Sequence, residues 1–245
     1  MDWNEIFAGM ENNEALSIGR AGNATLAFLA TRAVSLGKKV AVAVRSRDEL
    51  SVMRGLITLF SPELSVGCED GSSVRKPKGG EIPSWEKHWA FLPPVNERTL
   101  SREGWAERMA AMYALRHQLT DGIIFSIDNM VLRMPSLDYL DARELTIRRG
   151  DEIESELLLE QLAVWGYQRV QLVAHAGDMA RRGDIFDILP PGYERPLRLE
   201  FFGDTVEEIR VFDFSTQRSA GSLDEVTLLP VSPLCLDRDE LRQTH

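Results

Sequence analysis

In the first half of the chain, hydrophobic residues alternate between helical spacing and the short continuous runs of buried strands. Ser46, followed by Glu49 at the third helical position, has the arrangement of a capping box. The helices are predicted at 23–36, 47–60 and 101–119, and the strands at 39–44, 64–68 and 122–127. This order predicts an α/β fold with an open parallel sheet and covering helices.

From residue 143 onward the apolar period changes to two. Before the longest alternating stretch, a helix is predicted at 152–165, with Asp151 as its N-cap and Gly166 after its end. Strands are predicted at 144–149, 170–174, 185–189, 197–202, 206–212 and 225–229. Their short connections favour an antiparallel meander covered by one helix, which is an α+β arrangement.

These patterns divide the chain into three predicted parts. Residues 1–137 form an α/β domain, 138–222 an inserted α+β domain with an antiparallel sheet, and 223–245 the start of a further segment. Asp237–Arg242 has the composition of a charged helix start. We therefore expect the sequence to be a segment of a longer protein.

Composition narrows the classes of function. The chain is 44% hydrophobic and 27% charged, as in an ordinary globular protein, and its net charge of −10 gives no support for nucleic-acid binding by the whole surface. Cys68 and Cys235 have no neighbouring cysteine or histidine ligands, so neither a metal site nor a disulfide framework is expected. Met1–Leu16 lacks the pattern of a signal peptide, and no apolar run is long enough to span a membrane. A cytoplasmic location is predicted.

A glycine-rich turn before the first helix, Leu16–Thr25, has the placement of a phosphate-binding loop. Counted from Gly19, however, the motif GxxxxGK[ST] is not met, because Ala24, Thr25 and Leu26 occupy its last three positions. Without the lysine and the magnesium-binding hydroxyl, nucleotide hydrolysis lacks its essential groups. Gly19, Gly22 and Thr25 are therefore interpreted as a degenerate loop, with weak anion binding at the helix start as the alternative.

Two other groups of residues are of types that can carry out chemistry. Carboxylates and a lone histidine occur along the meander, without a nucleophile motif or a defined acid–base pair, so no catalytic residue is predicted. Among them, Asp187 lies between Phe186 and Ile188 and is expected to be partly buried in a structural hydrogen bond. The acids are Asp178, Asp184, Asp187, Glu200 and Asp204, and the histidine is His175. The aromatic cluster at 85–91 is expected to pack over the sheet, with base stacking as the alternative.

Arginines of the second domain are the stronger candidates. They occur in an otherwise acidic chain, and arginine is enriched among interface hot spots because its planar guanidinium makes bidentate contacts. The set is Arg169, Arg181, Arg182, Arg195 and Arg198. Gly177 and Gly183 bound a basic segment, Ala176–Gly183, that is interpreted as a turn of fixed shape. An interface and a set of solvated charges paired with nearby acids remain equal alternatives.

Several stretches together resemble a known family. They are Gly166–Val170, Gly177–Pro190, Arg198–Asp204, Val211–Asp213 and Thr216–Ser219. The pattern RGD-φφ-D-φφ-P followed by R-φ-EFFGD is similar to the N-terminal region of bacterial transcription-repair coupling factors, and the same module occurs in the excision-repair helicase UvrB. Glu107–Leu115 also fits this family. The resemblance covers about 107–233 well and the earlier residues weakly.

For the fold, the resemblance implies a degenerate helicase-like α/β domain followed by an inserted antiparallel domain. It also accounts for the loop at Gly19, since UvrB has a working phosphate loop there and the coupling factors have lost it. The parent family are ATP-driven translocases on double-stranded DNA that displace stalled RNA polymerase. Their ATP and magnesium sites, and their polymerase and DNA contacts, would lie outside this chain, so no cofactor is expected for the chain itself.

For the site, the resemblance implies docking onto UvrA, the damage-recognition ATPase, through arginines that match Arg169 and Arg182. A further UvrB arginine falls at Ala180, beside Arg181, and Phe186 is an apolar neighbour, with core packing as the favoured alternative for its ring. The predicted UvrA-binding residues are thus Arg169, Arg181, Arg182 and Phe186. The alternative is a nucleotide- and DNA-binding fragment of an excision-repair helicase, which ATP binding by the chain would favour.

Overall fold

The computed structural model describes residues 21–60, 89–92, 101–130, 134–213, 216, 218–233 and 235. In the first part, a parallel three-stranded sheet has the order β1-β3-β2. Its elements are α1 (Asn23–Ser35), β1 (Val40–Val44), α2 (Arg47–Phe60), β2 (Trp89–Leu92), α3 (Arg102–Arg116) and β3 (Gly122–Ser126), followed by a 3-10 turn at Ile127–Met130. The predicted helices and the strands at 39–44 and 122–127 are confirmed. The predicted strand 64–68 lies outside the described residues.

Alternate side chains of this sheet pack against different helices on its two faces. Val42, Val44 and Ile124 face α1 and α2 in one buried cluster, whereas Ala90 and Leu92 of β2 belong to the cluster that includes the alanines of α3. The predicted cap of α2 is confirmed in part, because Ser46 Oγ accepts the Glu49 N–H at 3.3 Å. The Glu49 carboxylate accepts the Arg45 N–H instead of that of Ser46.

The aromatic residues near position 90 are part of the sheet. Trp89 and Phe91 lie in β2, so they do not pack over the sheet as a separate cluster, and Trp85 is outside the described residues. A Cβ atom at Gly122, the register partner of Trp89, would lie 2.3 Å from the indole ring. Glycine at 122 therefore lets the large side chain cross onto the neighbouring strand. With Trp89 buried, the base-stacking alternative loses this ring.

The second part contains a six-stranded sheet with the order β10-β9-β8-β7-β6-β5, in which β6 to β10 form an antiparallel meander. The predicted strands at 185–189, 197–202 and 206–212 are confirmed, whereas β6 and β10 are not among the predicted strands. A separate pair joins β4 and β11. The elements are α4 (Leu137–Asp141), β4 (Leu145–Arg148), α5 (Ser155–Val164), β5 (Gln168–Arg169), β6 (Asp178–Arg182), β7 (Ile185–Ile188), β8 (Leu197–Phe202), β9 (Thr205–Phe212), β10 (Ser219–Leu223) and β11 (Glu225–Leu228). The short β5 runs parallel to β6.

Two local predictions in this part are wrong. Residues 170–174 are not a strand, because the chain leaves the sheet after β5 and the Ala174 N–H bonds to the Asp178 carboxylate. Asp151 does not cap α5, which begins four residues later. Its carboxylate accepts the Arg148 N–H at 2.8 Å in the turn after β4. Gly166 does follow α5 with a φ of +92°, as predicted.

One face of the six-stranded sheet packs against α5. The register places Phe186 beside Leu199 and Leu199 beside Ile209, and these residues join Leu158 and Leu162 of α5 in one buried cluster. That cluster continues into the alanines of α3, so the core crosses the predicted boundary at 137/138. Strand β11 of the predicted third part pairs with β4 of the second. The division into three parts stays a prediction.

No helix in the described part of the chain has the length and apolar character needed to cross a membrane. Among the same residues, no group of three or more histidine, cysteine or acidic side chains is placed to hold a metal ion.

Candidate functional site at the edge of the antiparallel sheet

The basic segment lies at one edge of the six-stranded sheet. Residues 178–182 form β6, so the prediction of a turn is wrong for most of this segment, although Gly177 and Gly183 flank it with φ values of +82° and +61°. The tight turn follows at Arg182–Ile185 and leads into β7. Because β5 pairs with only the first two residues of β6, the basic end of β6 extends beyond its neighbour. Arg169, Arg181 and Arg182 together are called the arginine edge below.

Register places these arginines on different faces. Arg169 pairs with Met179, and residues two apart in a strand share a face, so Arg169 and Arg181 lie on the side of α5. Arg182 lies on the opposite, outer face. Gln168, which pairs with Asp178, shares that outer face with Arg182. The sequence did not single out Gln168, and only the strand register identifies it.

The three guanidinium groups have different partners. Arg182 is exposed, and its Nη2 donates to the Gln171 carbonyl at 2.6 Å. Arg181 is partly buried, forms an ion pair with Glu156 of α5 and donates to the Gly183 carbonyl at 3.2 Å. Within the described residues, neither Arg169 nor Arg182 forms an ion pair with a carboxylate. The charges of these two residues thus remain available to an acidic partner, whereas that of Arg181 is already compensated.

Exposed leucines lie next to the residues that two of these arginines contact. Leu172 follows Gln171 and is 51% exposed, and Leu157 follows Glu156 and is 58% exposed. Arginine is enriched in protein interfaces, and the buried centre of an interface is more apolar than the rest of the surface. The arginine edge therefore combines positive charge with apolar surface.

Phe186, predicted as an apolar contact, lies elsewhere. Its ring is 2% exposed and packs in the main core, where its register partners are Arg181 and Leu199. Alternation along β7 turns the preceding residue, Ile185, to the outer face, where it is 37% exposed. A direct contact through Phe186 is therefore corrected to the core-packing alternative, in which the ring packs in the main core next to β6.

Arg198 and Arg195 are placed differently from the arginine edge. Arg198 forms a bidentate pair with Asp187, with N···O distances of 2.7 and 2.8 Å, and its guanidinium lies 4.6 Å from the centre of the Phe212 ring. The hydrogen bonds to the Asp187 carboxylate raise the pKa of Arg198 above its ordinary value. This confirms the structural hydrogen bond expected at Asp187. Arg195 is exposed in the loop before β8.

The other candidate residues named from the sequence, the acids, His175 and the glycine-rich loop, do not come together in one site among the described residues. Asp178 is 3% exposed and accepts the N–H groups of Ala174 and His175 at 3.1 and 2.8 Å, while the His175 side chain is exposed. Upstream, Gly19 lies outside the described residues. Gly22 is the N-cap of α1 in an extended conformation, and Thr25 lies in the first turn of that helix.

The part of the chain that contains the arginine edge is similar to proteins of a known family. Residues 145–233 match the family described as the UvrB interaction domain. The chain is 33% identical over 184 residues to the transcription-repair-coupling factor of Myxococcus xanthus, a match that covers 75% of this chain and 15% of that protein. The corresponding proteins of Haemophilus influenzae and Escherichia coli are 30% and 29% identical over 149 and 133 residues, covering 61% and 54% of this chain. Those matches span 13% and 12% of the relatives.

Proposed function

We propose that the chain recruits UvrA in transcription-coupled nucleotide excision repair, because residues 145–233 match the family described as the UvrB interaction domain and the chain is similar to part of the transcription-repair-coupling factors. In this proposal the chain is the UvrB-like N-terminal module of such a factor. It acts as a protein-binding module, and the docking surface is the arginine edge.

The placement of Arg182 carries the assignment of the surface. Its guanidinium is exposed at the end of β6 and is held in position by the Gln171 carbonyl, while its charge lacks a carboxylate partner among the described residues. An exposed but oriented arginine suits recognition of an acidic side chain, because less conformational entropy is lost on binding. Arg169 adds a second positive charge at the same edge.

The binding chemistry follows from these groups. On UvrA, aspartate or glutamate side chains would accept charge-assisted hydrogen bonds from Arg182 and Arg169, and apolar residues would cover Leu172. Truncation of one partner of such a pair costs about 2–5 kcal/mol when the pair is desolvated. A loss of about 30-fold or more in affinity corresponds to the lower end of that range.

The first part of the chain has a supporting role in this proposal. Its parallel sheet with helices on both faces is consistent with a helicase-like α/β domain that has lost its phosphate loop, since Thr25 stands where the motif requires lysine. The ATP-driven motor, with its magnesium, and the contacts to double-stranded DNA and RNA polymerase belong to other parts of the parent protein. A cytoplasmic location accords with that role.

The direct test is a binding titration with purified UvrA. We expect Arg182→Ala to bind about 30-fold more weakly than the unsubstituted chain at the same salt concentration. Arg47→Ala is the matched control, because Arg47 is an exposed arginine of α2 and its removal changes the net charge equally. Unchanged UvrA affinity in Arg182→Ala would contradict the proposed surface.

A further inference from the structure

Arg102 connects the first part of the chain to the strand that carries the arginine edge. It is the first residue of α3, and its Nη2 lies 2.9 Å from Asp178 Oδ1 at the start of β6. Its Nη1 donates to the Gly177 carbonyl at 3.1 Å. The two side chains are 21% and 4% exposed, so this contact is largely shielded from water.

The position of Arg102 within α3 argues against a purely local role. A positive charge in the first helical turn opposes the helix dipole, and acidic residues are the usual choice there. Ser101 already caps this helix through the Gly104 N–H. The guanidinium therefore does not stabilise the start of α3 by itself, and its bonds lead to another element.

Asp178 contacts both Arg102 and the loop between β5 and β6. Its second oxygen, Oδ2, accepts the N–H groups of Ala174 and His175 at 3.1 and 2.8 Å. Val173 in the same loop is 1% exposed, which fixes the loop on the core. The loop also contains Gln171, whose carbonyl accepts the bond from Arg182.

Gly177 permits the close approach that this arrangement needs. A Cβ atom at 177 would lie 2.8 Å from Arg102 Cδ and 2.9 Å from Val231 Cγ2. Its φ of +82° is also one that residues with a side chain rarely adopt. The absence of a side chain at 177 therefore lets the stem of Arg102 pack directly on this backbone.

We propose that Arg102 is a positioning residue for UvrA docking: through Asp178 it fixes the 170–177 loop, and the Gln171 carbonyl of that loop orients Arg182. This inference rests on the proposed function. It makes the α/β part of the chain a determinant of affinity at a surface it does not itself form.

A double-mutant cycle in the full 245-residue chain tests this coupling. We expect Arg102→Gln to weaken UvrA binding about three- to tenfold, the range of coupling between residues of one network. In the Arg182→Ala background the same substitution should have little further effect, because the oriented group is already absent. Arg102→Lys, which keeps the charge, should restore part of the affinity. Arg47→Gln is the matched control, because it removes the same charge from an exposed arginine of α2.

The outcomes separate the two proposals. If Arg102→Gln binds UvrA normally while Arg182→Ala binds weakly, the positioning role is wrong and the docking surface stands. Equal losses in both backgrounds would show that Arg102 acts by another route and would also overturn it. Normal binding by Arg182→Ala would instead overturn the docking surface. Circular dichroism establishes folding, and if Arg102→Gln unfolds, Arg102→Lys supplies the same cycle.

Discussion

Arg198 and Arg182 lie on the outer face of the same sheet, on strands β8 and β6, and their surroundings are opposite. Arg198 has the Asp187 carboxylate directly opposite on β7 and the Phe212 ring beneath its guanidinium. Arg182 has Ile185 opposite, and the only side-chain hydrogen bond of Arg182 among the described residues goes to a backbone carbonyl. The charge of Arg198 is thus neutralised within the sheet, whereas the guanidinium of Arg182 is exposed at the edge of the sheet.

Strand position explains this difference. An arginine in the interior of a sheet meets side chains from both neighbouring strands, so a single acid in register neutralises it. At the end of β6, beyond the two residues that pair with β5, one of those neighbours is missing. The resemblance between two arginines in sequence therefore says little about their roles, and the comparison predicts that one controls stability and the other binding.

The largest expected effect is on stability. Arg198→Ala leaves Asp187, which is 8% exposed, without its bidentate partner. We expect the free energy of unfolding to fall by about 2–4 kcal/mol, because removing one member of a shielded ion pair leaves the other charge buried without a partner. Urea unfolding followed by tryptophan fluorescence measures this change.

Arg210→Ala is the matched control for Arg198→Ala. Arg210 is the register partner of Arg198 on β9 and pairs with Glu208 and Glu200, but its side chain is 39% exposed. Its loss should cost less than about 1 kcal/mol, as for other surface pairs. Equal destabilisation by the two substitutions would break the distinction between the interior and the surface of this sheet.

The sequence predicted elements whose determinants are local. The helix at 23–36, the strand at 39–44 and the hairpin strands from 185 to 212 follow from apolar period and turn residues. Two errors arose where an aspartate side chain accepts hydrogen bonds from backbone N–H groups that precede it closely in the chain. The apolar alternation at 170–174 is overridden by Asp178, which takes two N–H groups of that segment, and Asp151 bonds to the turn after β4.

The candidate site was predicted only as a list of arginines. Sequence placed Arg169, Arg182 and Arg198 in one domain, but their partners depend on strand register and on which strand forms the edge. A shift of one residue would exchange the faces. The hydrogen bond from Arg102 to the Gly177 carbonyl joins residues 75 positions apart and has no local sequence pattern. These tertiary relations separate a docking arginine from a structural one.

The next largest effect is expected for UvrA affinity when the exposed Leu172 beside the arginine edge is replaced. Leu172→Ser should weaken UvrA binding about fivefold, because a half-exposed leucine that becomes covered contributes about 1 kcal/mol. Stability should hardly change, since the side chain is exposed in the isolated chain. Leu59→Ser provides the control, as Leu59 is 70% exposed on α2. If both variants bind UvrA equally well, the docking surface is confined to the charged groups.

Arg181 tests the intermediate case, an arginine at the edge that is already paired. Because Glu156 compensates its charge, Arg181→Ala should change UvrA affinity by no more than about twofold. Glu156→Gln is the informative companion, because it releases Arg181 without removing it. Tighter binding by Glu156→Gln would show that Glu156 competes with UvrA for this guanidinium. A loss in Arg181→Ala as large as in Arg182→Ala would mean that the pair opens on docking.

The smallest expected effect concerns a pair that is exposed at both ends. Arg116 donates two hydrogen bonds to Asp141, at 2.9 and 2.8 Å, and these bonds lower the pKa of the Asp141 carboxyl. A pKa lowered in the folded state stabilises the fold above the unfolded value, about 3.9 for aspartate, and that contribution disappears as the pH falls through the folded value. Asp141→Asn should therefore have a slightly lower Tm at about pH 7 and the same Tm as the unsubstituted chain near pH 2.

Thermal unfolding at low salt measures the difference in Tm between the two chains. That difference should shrink in high salt, because the side chains of Arg116 and Asp141 are both about 40% exposed. A Tm difference that does not vary with pH would show that the pair contributes through packing, and would place Arg116 with Arg198 instead of with the solvated arginines.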